Sequence, residues 1–169
     1  MARLANVLDA LDLRLLRAVT ERPRAGFLEL ARLTGVSRVT VQARLERLER
    51  SGVVTGYRPD IDLAGAGYPV RALATLEISQ GALAEVAAGL SAIPQVLEAC
   101  ATTGTGDVHC QLAASSHQEL QETLLRIDRI PAVTRSISVI VLSQVVAPRV
   151  LPLLEATPRP EPSRTRTSS

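Results

Sequence analysis

Residues 27–52, FLELARLTGVSRVTVQARLERLERSG, decide how this chain is read. Phe27, Leu30 and Ala31 recur at helical spacing and predict a helix that Thr34-Gly35 breaks. Val36 follows as an apolar plug. Ser37 stands where a helix N-cap belongs, its hydroxyl able to accept from a backbone N–H that the helix leaves unpaired. From there Val41, Leu45 and Leu48 form a narrow apolar stripe at i, i+4 and i+7, while the other face carries Arg38, Thr40, Gln42, Arg44 and Arg47. Two short helices across a Gly-containing turn, the second basic on its outward face, suit insertion into a DNA major groove. The competing reading is an ordinary helical hairpin with a solvated, Glu-paired face, because Glu46 and Glu49 interleave with Arg47 and Arg50.

Working outward, Asp12 is a plausible N-cap for an earlier helix running to about Glu21, with Leu15, Leu16 and Val19 turned inward. Arg22-Pro23-Arg24 ends that helix. Downstream, Gly52 stops the third helix, and Val53-Val54-Thr55-Gly56-Tyr57 is a short β-prone run. Residues 1–57 therefore predict a domain of three helices, the last two a helix-turn-helix, followed by a β-prone run. Residues 58–69 (RPDIDLAGAGYP) read as a linker.

Beyond the linker the period changes. Val70–Ile78 is β-rich, and Gly81–Ile93 is an Ala/Leu helix halted before Pro94. Val96–Thr103 and Val108–Ala114 read as strands around Gly104-Thr105-Gly106-Asp107. Ser116–Ile130 is an amphipathic helix with Leu120, Leu124 and Ile127 on one face, and Val133–Val146 is a long last strand. The order β-α-β-β-α-β is the ferredoxin-like pattern, which predicts an α+β protein with its second domain at 70–147. The strands are apolar on both faces, yet two helices cover only one face of four strands. The other face predicts a homodimer built sheet to sheet. Residues 148–169, rich in Pro, Arg, Ser and Thr, predict a disordered tail.

Charge sorts the same way. Eleven arginines stand against seven acids in residues 1–60, and four against eight in 61–147. A basic first unit fits a polyanion, and an acidic second unit is better kept away from one. The chain has no lysine; all 19 of its basic residues are arginine, a residue suited to forked contacts with phosphate or guanine. Asp9 and Asp12 argue against a secretory leader, and Val139–Leu154 is too broken by polar residues and prolines to span a bilayer. Two cysteines make no disulfide framework, so a cytoplasmic protein is expected.

With these pieces in order, the chain resembles the leucine-responsive regulatory protein/AsnC (Lrp/AsnC) family of transcription regulators from about Leu8 to Val146. The resemblance rests on Leu11-Asp12, Glu29-Leu30-Ala31 and Gly35-Val36-Ser37. It continues through Thr40-Val41, Arg44, Arg47-Leu48, Gly52–Tyr57, Pro94-Gln95-Val96, and Thr103-Gly104 through Asp107. It implies a winged helix-turn-helix DNA-binding head over residues 1–57 joined to an effector-binding, oligomerising domain, dimers that assemble further, often into octamers, and responses to amino acids. It also implies that Val53–Tyr57 helps pair two subunits and that an effector sits between dimers near residues 103–107.

The candidate DNA contacts are Ser37, Arg38, Thr40, Gln42, Arg44 and Arg47. Arg38, Thr40 and Gln42, near the start of the third helix, are best placed for base edges, and Arg44 and Arg47 for phosphate. Arg47 has the competing option of pairing with nearby acids, and Ser37 of acting purely as a cap. Gly104, Thr105, Gly106 and Asp107 read plainly as a hairpin turn. Under the resemblance they become the effector site, with backbone N–H groups and Asp107 meeting an amino acid, although relatives usually carry a bulky residue where Gly106 stands.

Cys100 and Cys110 are equidistant from Thr105, so a symmetric hairpin sets them opposite each other as a possible thiol switch; a one-residue slip separates them. His109 and His117 lie at no metal-ligand spacing, and neither a metal nor a cofactor is expected. Two alternatives stay open. One is an enzyme like the tetrapyrrole decarboxylases, drawing on His109 or His117 with Arg71 or Arg135; the other is an architectural DNA-binding protein without effector.

Overall fold

The computed structural model describes residues 8–158. In chain order its elements are α1 (Ala10–Glu21), α2 (Phe27–Thr34), α3 (Arg38–Arg50), β1 (Val70–Ile78), α4 (Leu83–Ser91), β2 (Val96–Ala101), β3 (Val108–Ala114), α5 (His117–Asp128), β4 (Val133–Ile140) and α6 (Leu151–Glu155). They form two compact units. One, the head, holds the chain up to Pro59 and again from Ala147; the other is Asp60–Val146.

The head is built on leucine spacing. Leu11, Leu15 and Ala18 of α1, Leu30 and Ala31 of α2, and Val41, Leu45 and Leu48 of α3 close one apolar core. Helix α1 begins one turn earlier than its pattern suggests, because Asp9, not Asp12, is the cap. The Asp12 N–H donates to Asp9 Oδ1 (2.9 Å) and the Asp9 N–H to Asp12 Oδ2 (3.0 Å), a reciprocal capping box. Gly35, at φ 71°, takes the left-handed conformation that ends α2 and turns the chain towards α3. Ser37 caps α3 as expected, accepting from the Thr40 N–H at 3.1 Å.

Two expectations for this unit need correction. Residues 53–57 form no strand, because the N–H groups of Val53 and Val54 both donate to the Leu48 carbonyl that α3 leaves open (3.0 and 3.1 Å). A ladder needs those donors, and the helix end has taken them. The tail is not uniformly without structure either. Leu151–Glu155 forms α6, which has a proline in its first turn, Leu154 against the head core and Glu155 2.6 Å from Arg17. The remainder of the expected disordered tail, residues 159–169, lies outside the described residues.

The second unit opens with residues first read as linker. Asp62 Oδ1 and Oδ2 accept from the N–H groups of Ala64 and Gly65 (both 3.1 Å), and the Tyr68 N–H closes back on the Leu63 carbonyl at 2.7 Å. An Asx-type turn thus leads into β1. The sheet is wholly antiparallel with strand order β2-β3-β1-β4. On one face, Ala72, Ala74, Leu76, Val108, Cys110, Leu112 and Ala114 pack against Val86 and Leu90 of α4 and Leu120 and Ile127 of α5. The last strand stops at Ile140, short of Val146. Its final ladder bond runs from the Val141 N–H to the Arg71 carbonyl, where β1 begins and the partner row runs out. The opposite face stays open. Leu73, Ile137 and Val139 lie on it 46 %, 48 % and 57 % exposed, with Leu73 paired to Val139 and Thr75 to Ile137.

Candidate nucleic-acid interface and effector turn

Helix α3 has three sides with different work. Val41, Leu45 and Leu48 face the core. Arg44 and Arg47 flank that stripe, half-buried, and both turn back to α1. Arg44 Nη1 donates to Asp9 Oδ2 and, at 3.1 Å, to Asp12 Oδ1; Arg47 Nη2 donates to Asp12 Oδ2 at 2.5 Å. Asp12 is fully buried, and a buried carboxylate is tolerable only when paired and hydrogen-bonded. Burial alone would raise its pKa. The hydrogen bonds from Arg47, from the Asp9 N–H and from Arg44 outweigh that and hold it below the ordinary value of 3.8. The two arginines expected on phosphate therefore have internal partners, and they lock the start of α1 to the middle of α3.

The third side faces solvent. Arg38, Val39, Gln42, Ala43, Glu46 and Arg50 are exposed along it. Ser37 Oγ lies 2.8 Å from Thr40 Oγ1, so these two hydroxyls serve each other at the cap. Gln42 Nε2 donates to Glu46 Oε1 at 3.0 Å, which steadies the amide one turn along. Arg38 forms no ion pair among the described residues. Beside this side lies an open concavity of about 580 Å³ lined by Asp9, Val39, Thr40, Ala43, Arg44 and Arg47. Sequence reasoning passed over Val39, which belongs to neither the apolar stripe nor the basic set.

The head matches the profile of the AsnC-type helix-turn-helix domain over residues 8–49, and residues 71–151 match that of the Lrp/AsnC ligand binding domain. This chain belongs to the Lrp/AsnC family. The HTH-type transcriptional regulator Rv2324 of Mycobacterium tuberculosis is 31 % identical over 141 residues, covering 82 % of this chain and 95 % of that protein. The solved structure of AsnC from Escherichia coli superposes with a TM-score of 0.80 at 28 % identity, over 86 % of this chain and 99 % of that one. The Neisseria meningitidis regulator NMB0573, solved as a complex with L-Met, shares the fold. Its TM-score is 0.82 at 24 % identity, over 89 % of this chain and 99 % of that one. As an Lrp/AsnC protein the chain is a DNA-binding transcriptional regulator, and its second unit is the family's ligand-binding domain. No helix among the described residues is long and apolar enough to cross a membrane.

In this Lrp/AsnC chain the turn at Gly104–Asp107 is pinned to the sheet. The Asp107 N–H donates to the Leu76 carbonyl and Asp107 Oδ2 accepts from the Ile78 N–H, both at 2.8 Å, so Asp107 finishes the end of β1. Thr102 closes the loop from the other side, its N–H on the Asp107 carbonyl (2.9 Å) and its hydroxyl on the Gly106 carbonyl (3.2 Å). Gly106 sits at φ 84°, and a Cβ there would lie 2.2 Å from Thr75 Cγ2. That contact explains glycine where the resemblance leads one to expect a bulky residue. Among the described residues no protein acceptor takes the N–H groups of Gly104, Thr105 or Gly106.

The cysteine pairing does not hold. The ladder leaves the turn as Ala101 to Val108, Cys100 to His109 and Ala99 to Cys110, so the hairpin is centred between Gly104 and Thr105 rather than on Thr105. Cys110 points into the core and Cys100 away from it. Burial, then the neighbouring Cys100, push the Cys110 thiol up to about 11.

Proposed function

We propose that this regulator inserts α3 into the major groove and responds to an amino acid held at the turn after β2. The solvent side of α3 supports the reading: Arg38 and Gln42 stand exposed on a helix whose other flank is fastened to α1. Arg38 and Gln42 meet base edges, with Ser37 and Thr40 at the helix start contacting the backbone through the hydroxyl pair. Arg44 and Arg47 act as positioning residues that set the angle of α3, and a phosphate reaching them meets guanidinium groups already shared with acids.

The protein acts as a homodimer through the open sheet face, with Leu73, Ile137 and Val139 at its centre and Val53–Tyr57 adding a second contact between subunits. Dimers assemble further, to an octamer. The effector binds between dimers, where the N–H groups of Gly104, Thr105 and Gly106 take a carboxylate and the remaining oxygen of Asp107 faces the ammonium group. An L-Met complex of a structural relative makes an amino acid the natural class. Linkage does the rest: a ligand favouring one assembly shifts the spacing of the DNA-reading heads, and DNA shifts ligand affinity equally. A dimer reads a pseudo-palindrome with half-sites one helical turn apart or a multiple of it. Such a protein works in the cytoplasm and catalyses no reaction. Of the groups an enzyme would draw on, His109 Nδ1 lies 3.0 Å from Thr75 Oγ1, Arg71 3.0 Å from Gln144 and Arg135 3.5 Å from Glu77, while His117 stands exposed at the start of α5.

Fluorescence anisotropy on the DNA upstream of the protein's own gene tests this, with salt titrated and an amino-acid pool present or absent. Binding tighter than to a random fragment, weakening steeply with salt and shifted by the pool, is the expected result. Equal weak binding to both fragments removes the sequence-reading role, and no shift with any amino acid removes the effector.

A further inference from the structure

We propose that Val39, with Ala43 one turn behind it, reads the C5-methyl group of a thymine and is a specificity-determining residue of this regulator. The inference rests on α3 being the helix that enters the groove. Val39 is 77 % exposed, more than any other large apolar side chain described in the head. It takes no part in the head's core. A β-branched residue at an exposed helical position restricts its own rotamers and leaves apolar surface in water. The fold gains nothing from it there. The neighbouring positions on this side hold Arg38 and Gln42, the residue types that such a surface ordinarily carries.

The pattern around Val39 supplies the complement. Ala43 follows at i+4 and shares its face, and its single methyl group lets the helix backbone come close. Arg38 and Gln42 flank the pair. The exposed side therefore offers donors on either side of an apolar strip. A major groove presents the same mixture: guanine O6 and N7, adenine N6 and N7, and the methyl group of thymine as its one apolar feature. Because Arg44 and Arg47 turn back to Asp9 and Asp12, the direct readers narrow to Arg38, Val39, Gln42 and Ala43, of which only Val39 brings more than one methyl group.

The test uses the full chain and a site obtained by in vitro selection from random DNA. Each thymine of that site is replaced singly by uracil, which lacks only the methyl group, and affinity is measured by anisotropy. The wild-type protein is expected to lose about fourfold at one position per half-site, the worth of one buried methyl group. Val39→Ala, a better helix former, should keep its affinity for random DNA, lose the uracil penalty at that position alone, and select thymine there no longer. A flat uracil scan with the wild-type protein overturns the inference while leaving groove docking intact. So does a Val39→Ala protein that retains the full penalty. Selection of no sequence at all overturns both the inference and the docking of α3 on which it stands.

Discussion

The two units are held together by different physics. In the head, the fully buried Asp12 carboxylate joins α1 to α3 through two arginines. In the second unit, Thr123 is the only buried polar side chain described, and its hydroxyl spends itself on the Glu119 carbonyl of its own helix at 2.8 Å. Everything else in that core is apolar. An apolar core responds to lost volume and is indifferent to pH and salt. An ionic clasp has the opposite sensitivities, and it lies on the unit that must meet a polyanion.

The sharpest contrast comes from removing volume. Ile127→Ala, at a fully buried contact of α5 with the sheet, should destabilise the second unit by about 2–5 kcal/mol, read by urea unfolding followed through that unit. Asp12→Asn comes next. It leaves Arg44 and Arg47 without their shared charge and should destabilise the head by about 1–3 kcal/mol in a thermal melt at neutral pH. A melt unchanged by this substitution breaks the comparison.

Acid should separate the units in the same way. The folded Asp12 carboxyl titrates below the unfolded value of 3.8, so the unfolded head binds the proton first as pH falls. The stability it contributes is complete above pH 4 and fades as pH drops below that value towards the folded pKa. Asp12→Asn should flatten this acid limb, monitored by circular dichroism, without altering the response of the sheet unit.

Smaller effects belong to the DNA. Arg38→Ala should cost about 1–3 kcal/mol of affinity for a selected site and relax the base preference at one position. Arg44→Ala should weaken binding mainly through a loosened head, with little change in the slope of log affinity against log salt. A slope lowered by about one unit would return Arg44 to phosphate contact. The smallest effect is none at all: Cys110→Ser should bind DNA identically under oxidant and reductant. The native Cys110 thiol, buried and raised to about 11, should escape alkylation at pH 8 by mass spectrometry.

Local chemistry made much of this readable from the sequence. Gly35 and Ser37 mark the turn between α2 and α3 whatever surrounds them, and the alternation of strand and helix after Val70 spells out the β-α-β-β-α-β unit. What could not be read depends on contacts between distant residues. The acids that claim Arg44 and Arg47 lie 32 to 35 positions earlier, so no helical spacing exposes them. The slip that separates Cys100 from Cys110 arises in the turn itself, which is centred between Gly104 and Thr105, whereas a symmetric count assumes a centre on Thr105. The strand expected at Val53–Tyr57 fails because a carbonyl of α3 captures its first donors. At Gly104–Asp107, four residues were legible as a turn, yet the role of Asp107 in finishing β1 needs the neighbouring strand in place.

The return of the chain to the head at α6 makes the sheet unit an insertion rather than an appendage. A single proteolytic nick in the first connector would leave α1, α2 and α3 held to the rest of the chain only by the non-covalent packing of α6. Ending the chain after Val146 would instead leave the sheet unit joined at one end only. The second connection depends on the few residues of α6, through Leu154 against the head core and Glu155 on Arg17.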